Sequence, residues 1–363
     1  MKQKVILIST LVIVTLFRII PGWGWFYTQH IYPLVGSVLS HVSGIFPFAV
    51  GDIFIACSIA WCILYPICKM RRGKKKAVLG KVAKYLLWVY AWFYLAWGLN
   101  YSQPNIYNRI GMMPAEVSEA KLKAFAYRYA DSLNALSEER RVKSEEYLKE
   151  TTKEEVLKGY KSLETDRNHG RDSQAAGGKM PYIGINPPFN DSPRVKTMVF
   201  SRLSSMAGVT GSMGPFFCEF TLNGEVRSHD YPSTYAHEFA HFLGIANEGE
   251  ANFYSYVVCT SSGDKAVKFS GYYHIFFHVL NNVYEILGEK EGEKFLKHIR
   301  PEIIQLARSD RKYWIGKRCK LLDDTQDFLF DLYLRGNHVA EGRKSYSGVI
   351  GLILAWEEFR GIL

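Results

Sequence analysis

The chain lacks the short motifs that mark common nucleotide, serine-hydrolase and thiolate-zinc sites. It has no G-x-x-x-x-G-K-[ST] loop, no G-x-S-x-G elbow and no G-x-G-x-x-G fingerprint. It also has no C-x-x-C pair, which argues against a zinc site built from cysteine thiolates. These absences argue against a nucleotide-binding protein, a serine hydrolase and a protein with a thiolate zinc site.

Cysteine is too scarce to support a disulfide framework. Three of the six cysteines lie in one apolar segment, where they are expected to behave as small apolar side chains. The other three, Cys218, Cys259 and Cys319, permit at most one disulfide among them. Apolar residues make up 48% of the 363 residues, which is enough for a sizeable hydrophobic core.

Acidic residues are almost absent from the first 84 positions, where Asp52 stands alone among eleven lysines and arginines. This excess accounts for the whole formal net charge of +10, because the remaining residues are balanced. A basic excess confined to one part of the chain argues against a soluble nucleic-acid-binding protein, and we expect no nucleic-acid partner. The apolar content argues against a disordered chain.

Three uncharged apolar runs lie near the N-terminus, at 5–17, 53–68 and 85–99. Each is slightly shorter than the roughly 20 residues of a spanning helix, but apolar or aromatic flanks extend it. We therefore predict an N-terminal bundle of three transmembrane helices in a lipid bilayer. The first run also has the form of a cleaved signal peptide, but no small-x-small site precedes Trp23, which favours an anchor.

A basic segment separates the second and third runs. Residues 69–84 contain eight lysines or arginines and no acid. Because positively charged loops stay in the cytoplasm, this segment is predicted to be a cytoplasmic loop. Counting spans then places the chain after Tyr101 on the opposite side of the membrane. The sequence thus predicts an integral membrane protein whose larger part is extracytoplasmic.

The predicted fold is mainly α, with a short edge strand or small sheet outside the membrane. Charged and apolar residues alternate at helical spacing over 114–164, where Leu122 and Tyr129 belong to one apolar stripe. The aromatic stretch 214–223 is predicted to be a strand, and helices are expected from 232 to 356. We expect three domains: a membrane domain at 1–101, a helical lobe with an irregular loop at 102–192, and a third domain at 193–363.

The most informative segment is the H-E-x-x-H sequence of His237, Glu238 and His241. Ser233 or Thr234 can cap the helix that carries it. Residues four apart share one helix face, so the two imidazoles can chelate a divalent ion. Glu238 cannot ligate alongside both histidines and is expected beside the metal, where it can act as a general base.

A zinc site needs a third protein ligand, and the following residues offer two candidates. Gly244 can end the first helix, and a second helix is expected to begin near Asn247. The first turn of that helix carries Glu248 and Glu250, and either carboxylate can complete the site.

This stretch resembles the gluzincin class of zinc metallopeptidases, whose third ligand is a Glu in an E-x-x-x-D/N pattern. Glu248 and Asn252 match that pattern. The resemblance therefore implies a Zn²⁺ ion held by His237, His241 and Glu248, with Asn252 orienting a ligand histidine. Glu248 is favoured over Glu250 because only Glu248 has Asn252 one helical turn further on.

The resemblance implies peptide-bond hydrolysis by a metal-activated water, with Glu238 as the general base. Zincins often stabilise the oxyanion with a tyrosine or histidine. Tyr346 is the preferred residue for this catalytic role, and His338 and Tyr333 are alternatives. An edge strand at 214–223 would pair with an extended substrate. In metzincins, a glycine placed like Gly244 is followed by a third histidine, and Asn247 occupies that histidine's place here.

The whole chain also resembles an uncharacterised family of bacterial membrane proteins with a zincin-like domain. This resemblance implies that 193–363 is an α+β zincin-like catalytic domain, held outside the cytoplasm at the bacterial inner membrane. Its substrates would be peptides or proteins of the cell envelope. Two alternatives stay open: a zinc hydrolase of a non-peptide amide or ester, and a membrane scaffold or sensor that keeps the fold without cutting.

Other polar residues are interpreted as structural. His274 and His278 are four apart but have no acid between them and no third ligand at a suitable spacing, so they are expected in the core or an interface. His229 and Asp230 lie just ahead of the zinc helix and can line its cleft, although a structural role is favoured. Asp52 lies at a membrane edge, where a charge is tolerated without a function.

Overall fold

The computed structural model describes residues 2–70, 75–139, 144–165, 193–322 and 348–361, together with 324, 325, 327 and 336. The chain forms two compact units. The first comprises Met1–Pro104, Pro188–Ser201 and Ser212–Gly224, and the second comprises Asn105–Pro187, Arg202–Gly211 and Glu225–Leu363. Helices dominate and the sheet is small, which confirms the predicted mainly α character.

The helices of the first unit are Lys2–Ile19 (α1), Trp23–Phe26 (α2), Tyr32–Gly44 (α3), Val50–Met70 (α4) and Lys75–Ala96 (α5), with a π-helical turn at Tyr27–Ile31 and a 3-10 turn at Gly98–Ser102. Lys84 donates a 2.9 Å hydrogen bond to the side chain of Gln3, and Arg18 donates one of 2.9 Å to the Tyr90 hydroxyl. Helices α1 and α5 therefore run in the same direction, with their lysine-rich ends together.

Among the described residues, one helix is long and apolar enough to cross a bilayer, over Val50–Lys69. The segments Lys2–Ile19 and Trp23–Gly44 pass the same test only as a pair, which is bent by 109°. The structure thus shows one clear span, and the prediction of three is corrected. Four lysines in the first ten residues of α5 leave only 85–96 uncharged, which is about 18 Å of helix against roughly 30 Å of hydrocarbon.

Most of the basic segment at 69–84 is helical, and its cytoplasmic position stays a prediction. Lys69 belongs to α4 and residues 75–84 form the first turns of α5, while 71–74 lie outside the described residues. Lysine and alanine are good helix formers, so a basic run between two apolar runs does not have to form a loop.

The sheet has the strand order β1-β3-β2, with β1 parallel to β3: the strands are Val195–Thr197 (β1), Gly211–Gly214 (β2) and Glu219–Leu222 (β3). The strand predicted at 214–223 is only partly found, because 215–218 form a turn. Cys218 adopts a left-handed φ of 48° in this turn, and Phe216 and Phe217 pack against Phe54 with ring centroids 5.0 and 5.5 Å away. Aromatic packing in the turn explains the strand-like composition.

A buried charge pair fixes the beginning of α4. The Glu219 carboxylate accepts a 2.8 Å hydrogen bond from the Val50 N–H and another from the Gly51 N–H. Lys196 donates to the same carboxylate at 2.6 Å and to the Ser43 carbonyl at 2.7 Å. Both charged side chains are 1% exposed, so each charge is stable only because the other neutralises it.

The helices of the second unit are Ile106–Ile110 (α6), Glu119–Glu139 (α7), Glu145–Thr165 (α8), Ser201–Met206 (α9), Tyr231–Phe242 (α10), Glu248–Thr260 (α11), Lys265–His274 (α12), Phe276–Leu287 (α13), Glu289–His298 (α14), Pro301–Lys317 (α15) and Val349–Phe359 (α16). The predicted apolar stripe is confirmed in α7, where four residues are buried: Leu122, Phe125, Ala126 and Tyr129. Tyr160 of α8 donates a 2.8 Å hydrogen bond to the Ala236 carbonyl, which fixes α8 against α10.

The charge pair at the beginning of α4 gives a stability prediction. Glu219→Ala should destabilise the protein by about 3–5 kcal/mol, because it leaves the Lys196 ammonium buried without its partner. The double variant Glu219→Leu/Lys196→Met should cost less than the sum of the two single changes. Thermal unfolding in detergent measures the stability of Glu219→Ala, of the single variants Glu219→Leu and Lys196→Met, and of the double variant. Strictly additive losses in the double variant would contradict the coupling.

Candidate metal centre

Helix α10 begins two residues earlier than its sequence suggested. It runs from Tyr231, and neither Ser233 nor Thr234 caps it as predicted. Their hydroxyls instead donate to the Asp230 carbonyl at 3.0 and 2.9 Å, inside the first turn. Pro232 at the start of the helix needs no N–H partner, so the earlier beginning leaves no backbone donor unsatisfied.

A tight turn after α10 brings the chain back to the two histidines of that helix. Gly244 adopts a left-handed φ of 95°, which confirms its predicted role in ending α10. A second helix was expected to begin near Asn247, and Asn247 caps α11 by accepting a 3.0 Å hydrogen bond from the Glu250 N–H. The first residue of α11, Glu248, is thereby returned to the face of α10 that carries the two histidines.

His237, His241 and Glu248 converge on one point. Their Nε2, Nε2 and Oε2 atoms are separated by 3.1 Å between the histidines, and by 3.2 and 3.4 Å from the carboxylate to His237 and His241. All three can offer a ligand atom within 4.8 Å of the others. A tetrahedral zinc ion with ligands at about 2.0–2.1 Å places neighbouring ligand atoms about 3.3 Å apart, so the spacing and the donor types both fit Zn²⁺.

Burial makes this cluster electrostatically strong, since its side chains are between 9% and 13% exposed. Burial opposes the charge of His241, but Glu248 outweighs it and raises the pKa of His241 to about 9. Burial also opposes the charge of Glu248, and the two imidazoles hold the pKa of that carboxyl well below its usual range. Nδ1 of His241 lies 2.6 Å from the Ile245 carbonyl, which fixes the ring so that Nε2 faces the cluster.

Glu250, the alternative third ligand, is engaged elsewhere. Its carboxylate accepts hydrogen bonds from the Ile106 N–H at 2.8 Å and from Arg109 at 2.6 Å. The Arg109 guanidinium also donates to the Tyr254 hydroxyl at 3.2 Å. Glu250 therefore ties α6 to α11, and only Glu248 reaches the histidines.

Glu238 lies next to the cluster, on the inner side of α10. Its side chain is 6% exposed and packs on the backbone of Gly211, where an added Cβ would stand 2.5 Å from both Cγ and Oε1. The Glu238 charge is close enough to His241 to contribute to its raised pKa. The general base predicted from the motif thus lies within electrostatic range of the cluster, in a space that requires glycine at position 211.

Asn252 does not contact a ligand histidine directly, contrary to the expectation from the gluzincin pattern. Its Oδ1 lies 2.9 Å from Nε2 of His274, because one turn into α11 the side chain faces α12 rather than α10. His274 itself packs on His237, with ring centroids 6.2 Å apart. Burial lowers the pKa of His274 to about 3 and also lowers that of His278, which favours the neutral imidazole at both positions. Both side chains are partly buried.

His229 and Asp230 belong to a second polar cluster with Asp310 of α15. His229 lies 2.9 Å from one Asp310 oxygen, to which the Tyr273 hydroxyl also donates, and Arg227 donates to the other oxygen. Burial raises the pKa of Asp230 to about 6. Because Asp310 already has three partners, this cluster anchors the segment before α10, as the structural interpretation expected. Asp310 is 37 to 83 positions away from its three partners, so no sequence pattern could have assembled the cluster.

The three residues considered for oxyanion stabilisation, Tyr346, His338 and Tyr333, lie outside the described residues.

A matched pair of variants tests the assignment of the third ligand. The purified wild-type chain should hold about one zinc per molecule, and Glu248→Gln or His237→Ala should retain less than about a tenth of it. Glu250→Gln should retain the metal, since Glu250 does not reach the histidines and the amide oxygen can still accept from the Ile106 N–H. Elemental analysis after dialysis measures the content, and loss in Glu250→Gln with retention in Glu248→Gln would reverse the assignment.

The comparisons with known proteins give a family but no characterised relative. No curated protein and no solved structure matches the chain. The family described as "Protein of unknown function (DUF3810)" matches residues 27–354, a range that includes α4 and the whole candidate metal centre. The chain belongs to the DUF3810 family.

Proposed function

We propose that this chain is a membrane-anchored zinc metallopeptidase. The observation that carries the proposal is the convergence of His237, His241 and Glu248 within 3.4 Å of one another, with Glu238 beside them. This set provides two neutral donors and one anionic donor, together with one carboxylate that does not ligate. Catalytic zinc sites have the same division between ligands and base.

The three protein ligands would leave one coordination position of the ion free for the reaction. A Zn²⁺ ion with three protein ligands keeps a fourth position open, polarises a carbonyl oxygen there and lowers the pKa of water towards 7. The Nε2 atoms of His237 and His241 and one Glu248 oxygen would hold the ion. The Ile245 carbonyl would keep the His241 ring in orientation.

Glu238 would move the proton. Its carboxylate accepts a proton from the attacking water and passes it to the nitrogen of the leaving amine, so that one peptide bond and one water give a carboxylic acid and an amine. Burial supports this role, since a desolvated carboxylate is a stronger base than a solvated one. The His237 side chain is 13% exposed, so the cluster is not closed to solvent. A substrate would approach it from that side.

We further propose that α4 anchors the protein in a bacterial inner membrane, with the second unit outside the cytoplasm. The carboxyl end of α4 and the first turns of α5 carry lysines, and α1 brings Lys2 and Lys4 to the same end. The positive-inside rule assigns that end to the cytoplasm. Because the uncharged part of α5 alone is shorter than a span, this proposal requires that the residues up to the 3-10 turn at Gly98–Ser102 complete the crossing to the far side. Cell-envelope peptides or proteins would then be the substrates.

The peptidase proposal predicts that Glu238→Gln lowers kcat by about 10²- to 10⁴-fold on a peptide library while zinc content stays unchanged, because the ligands remain and the base is lost. Mass spectrometry of the cleaved library measures the rate. Glu289→Gln, an exposed acid in α14, is the control and should cut like the wild type. Equal turnover by Glu238→Gln and wild type would reject Glu238 as the base.

The topology proposal predicts compartment-dependent reporter activity. Alkaline phosphatase fused after Tyr101 should be active, because it folds only in an oxidising compartment. The same fusion after Lys76 should be inactive. The opposite pattern would place the second unit in the cytoplasm.

A further inference from the structure

One of the two histidines proposed as zinc ligands has a buried ring nitrogen that no hydrogen bond satisfies. Among the described residues, Nδ1 of His237 is buried and has no partner, whereas Nδ1 of His241 lies 2.6 Å from the Ile245 carbonyl. An imidazole that coordinates through Nε2 carries its proton on Nδ1, and such a donor normally meets an acceptor. Leaving it buried and unpaired is unfavourable, because the donor has lost its water partner without gaining another.

The ring of His274 is a neighbour of the His237 ring and has an acceptor to offer. Its ring centroid is 6.2 Å from that of His237, with the two planes at 61°. Its Nε2 lies 2.9 Å from Oδ1 of Asn252. An amide oxygen only accepts hydrogen bonds, so Nε2 of His274 carries the single proton of the neutral ring. Nδ1 of His274 then carries a lone pair that can accept a hydrogen bond.

We propose that His274 is the positioning residue of His237 and accepts the Nδ1–H of His237 on its own Nδ1 when His237 binds the metal. The ring separation is about 1 Å greater than a direct N–H···N bond between two imidazoles requires, so a small side-chain movement closes it. Asn252 acts at the far end by fixing the tautomer of His274. The relay Asn252–His274–His237 thus does what a direct contact from Asn252 was expected to do.

The relay links three helices to one ligand. Asn252 belongs to α11, which also supplies Glu248, and His274 is the last residue of α12. The orientation of His237 on α10 therefore depends on the packing of α11 and α12 together. This inference rests on the metal site of the proposed function, but it does not require that the protein cuts peptides.

The test measures the zinc Kd of the full-length protein in detergent, by competition with a chelating dye. His274→Phe keeps an aromatic ring but removes the acceptor, and it should raise the Kd by about 10- to 100-fold. His274→Gln supplies an amide oxygen and should recover most of that loss. His278→Phe replaces the other buried histidine of this region as the matched control and should leave the Kd unchanged.

A second readout does not depend on any variant. In the zinc-loaded wild type, ¹⁵N-histidine NMR should show His274 protonated on Nε2 and bare on Nδ1. A proton on Nδ1, or an unchanged Kd in His274→Phe, would overturn the proposal. If His274→Phe does not fold, the His274→Gln affinity and the wild-type tautomer decide the question.

The outcomes also separate this inference from the peptidase proposal. If the wild-type protein binds zinc and shows the relay but cleaves no peptide, the peptidase proposal is rejected and the role of His274 stands. Wild-type protein that binds zinc with an affinity indifferent to His274 would remove only the relay. Protein with no zinc affinity would overturn both.

Discussion

Two imidazole nitrogens and a carboxylate oxygen lie within 3.4 Å of one another where little water reaches them. Lone pairs that face each other at this distance repel unless a proton or a cation lies between them. The raised pKa of His241 and the depressed pKa of Glu248 express the same demand for positive charge at this point. A divalent ion satisfies the demand with the geometry that these three atoms already have.

The surrounding helices hold these donors close together. Gly244 reverses the chain in a left-handed turn, and the Asn247 cap starts α11 three residues later. Glu250 holds the other side of the first α11 turn to α6 through Arg109. Two neighbouring acids in one helical turn thus have separate tasks, Glu250 in folding and Glu248 at the candidate metal centre. The same interior holds His274 against His237, so the site depends on three helices rather than on one motif.

The local parts of the site could be predicted from the sequence because they lie within sixteen consecutive residues. Helical spacing places His237 and His241 on one face, and glycine and asparagine mark the turn and the cap between α10 and α11. The choice between Glu248 and Glu250 came from a resemblance. In the structure, Glu250 is engaged by Arg109 and does not reach the histidines. Arg109 is about 140 positions away in the sequence, so this contact could not be predicted from the motif.

The long-range parts could not be predicted in this way. The hydrogen-bond partner of Asn252, His274, depends on how α12 packs against α11. The network around Asp310 joins residues that are far apart in the chain. The apolar runs were recognised correctly as helical, but a run of uncharged residues does not show where its helix begins. Helix α5 begins in the lysine-rich segment, and this reduces its uncharged length below that of a span.

The most direct test of the account is a zinc-edge anomalous diffraction map of the protein crystallised with Zn²⁺. The account predicts one strong peak, with His237 Nε2, His241 Nε2 and a Glu248 oxygen at about 2.0–2.2 Å from it and one position left to solvent. A peak at His229 and Asp310 instead, or coordinates in which Glu248 turns away from both imidazoles, would contradict it.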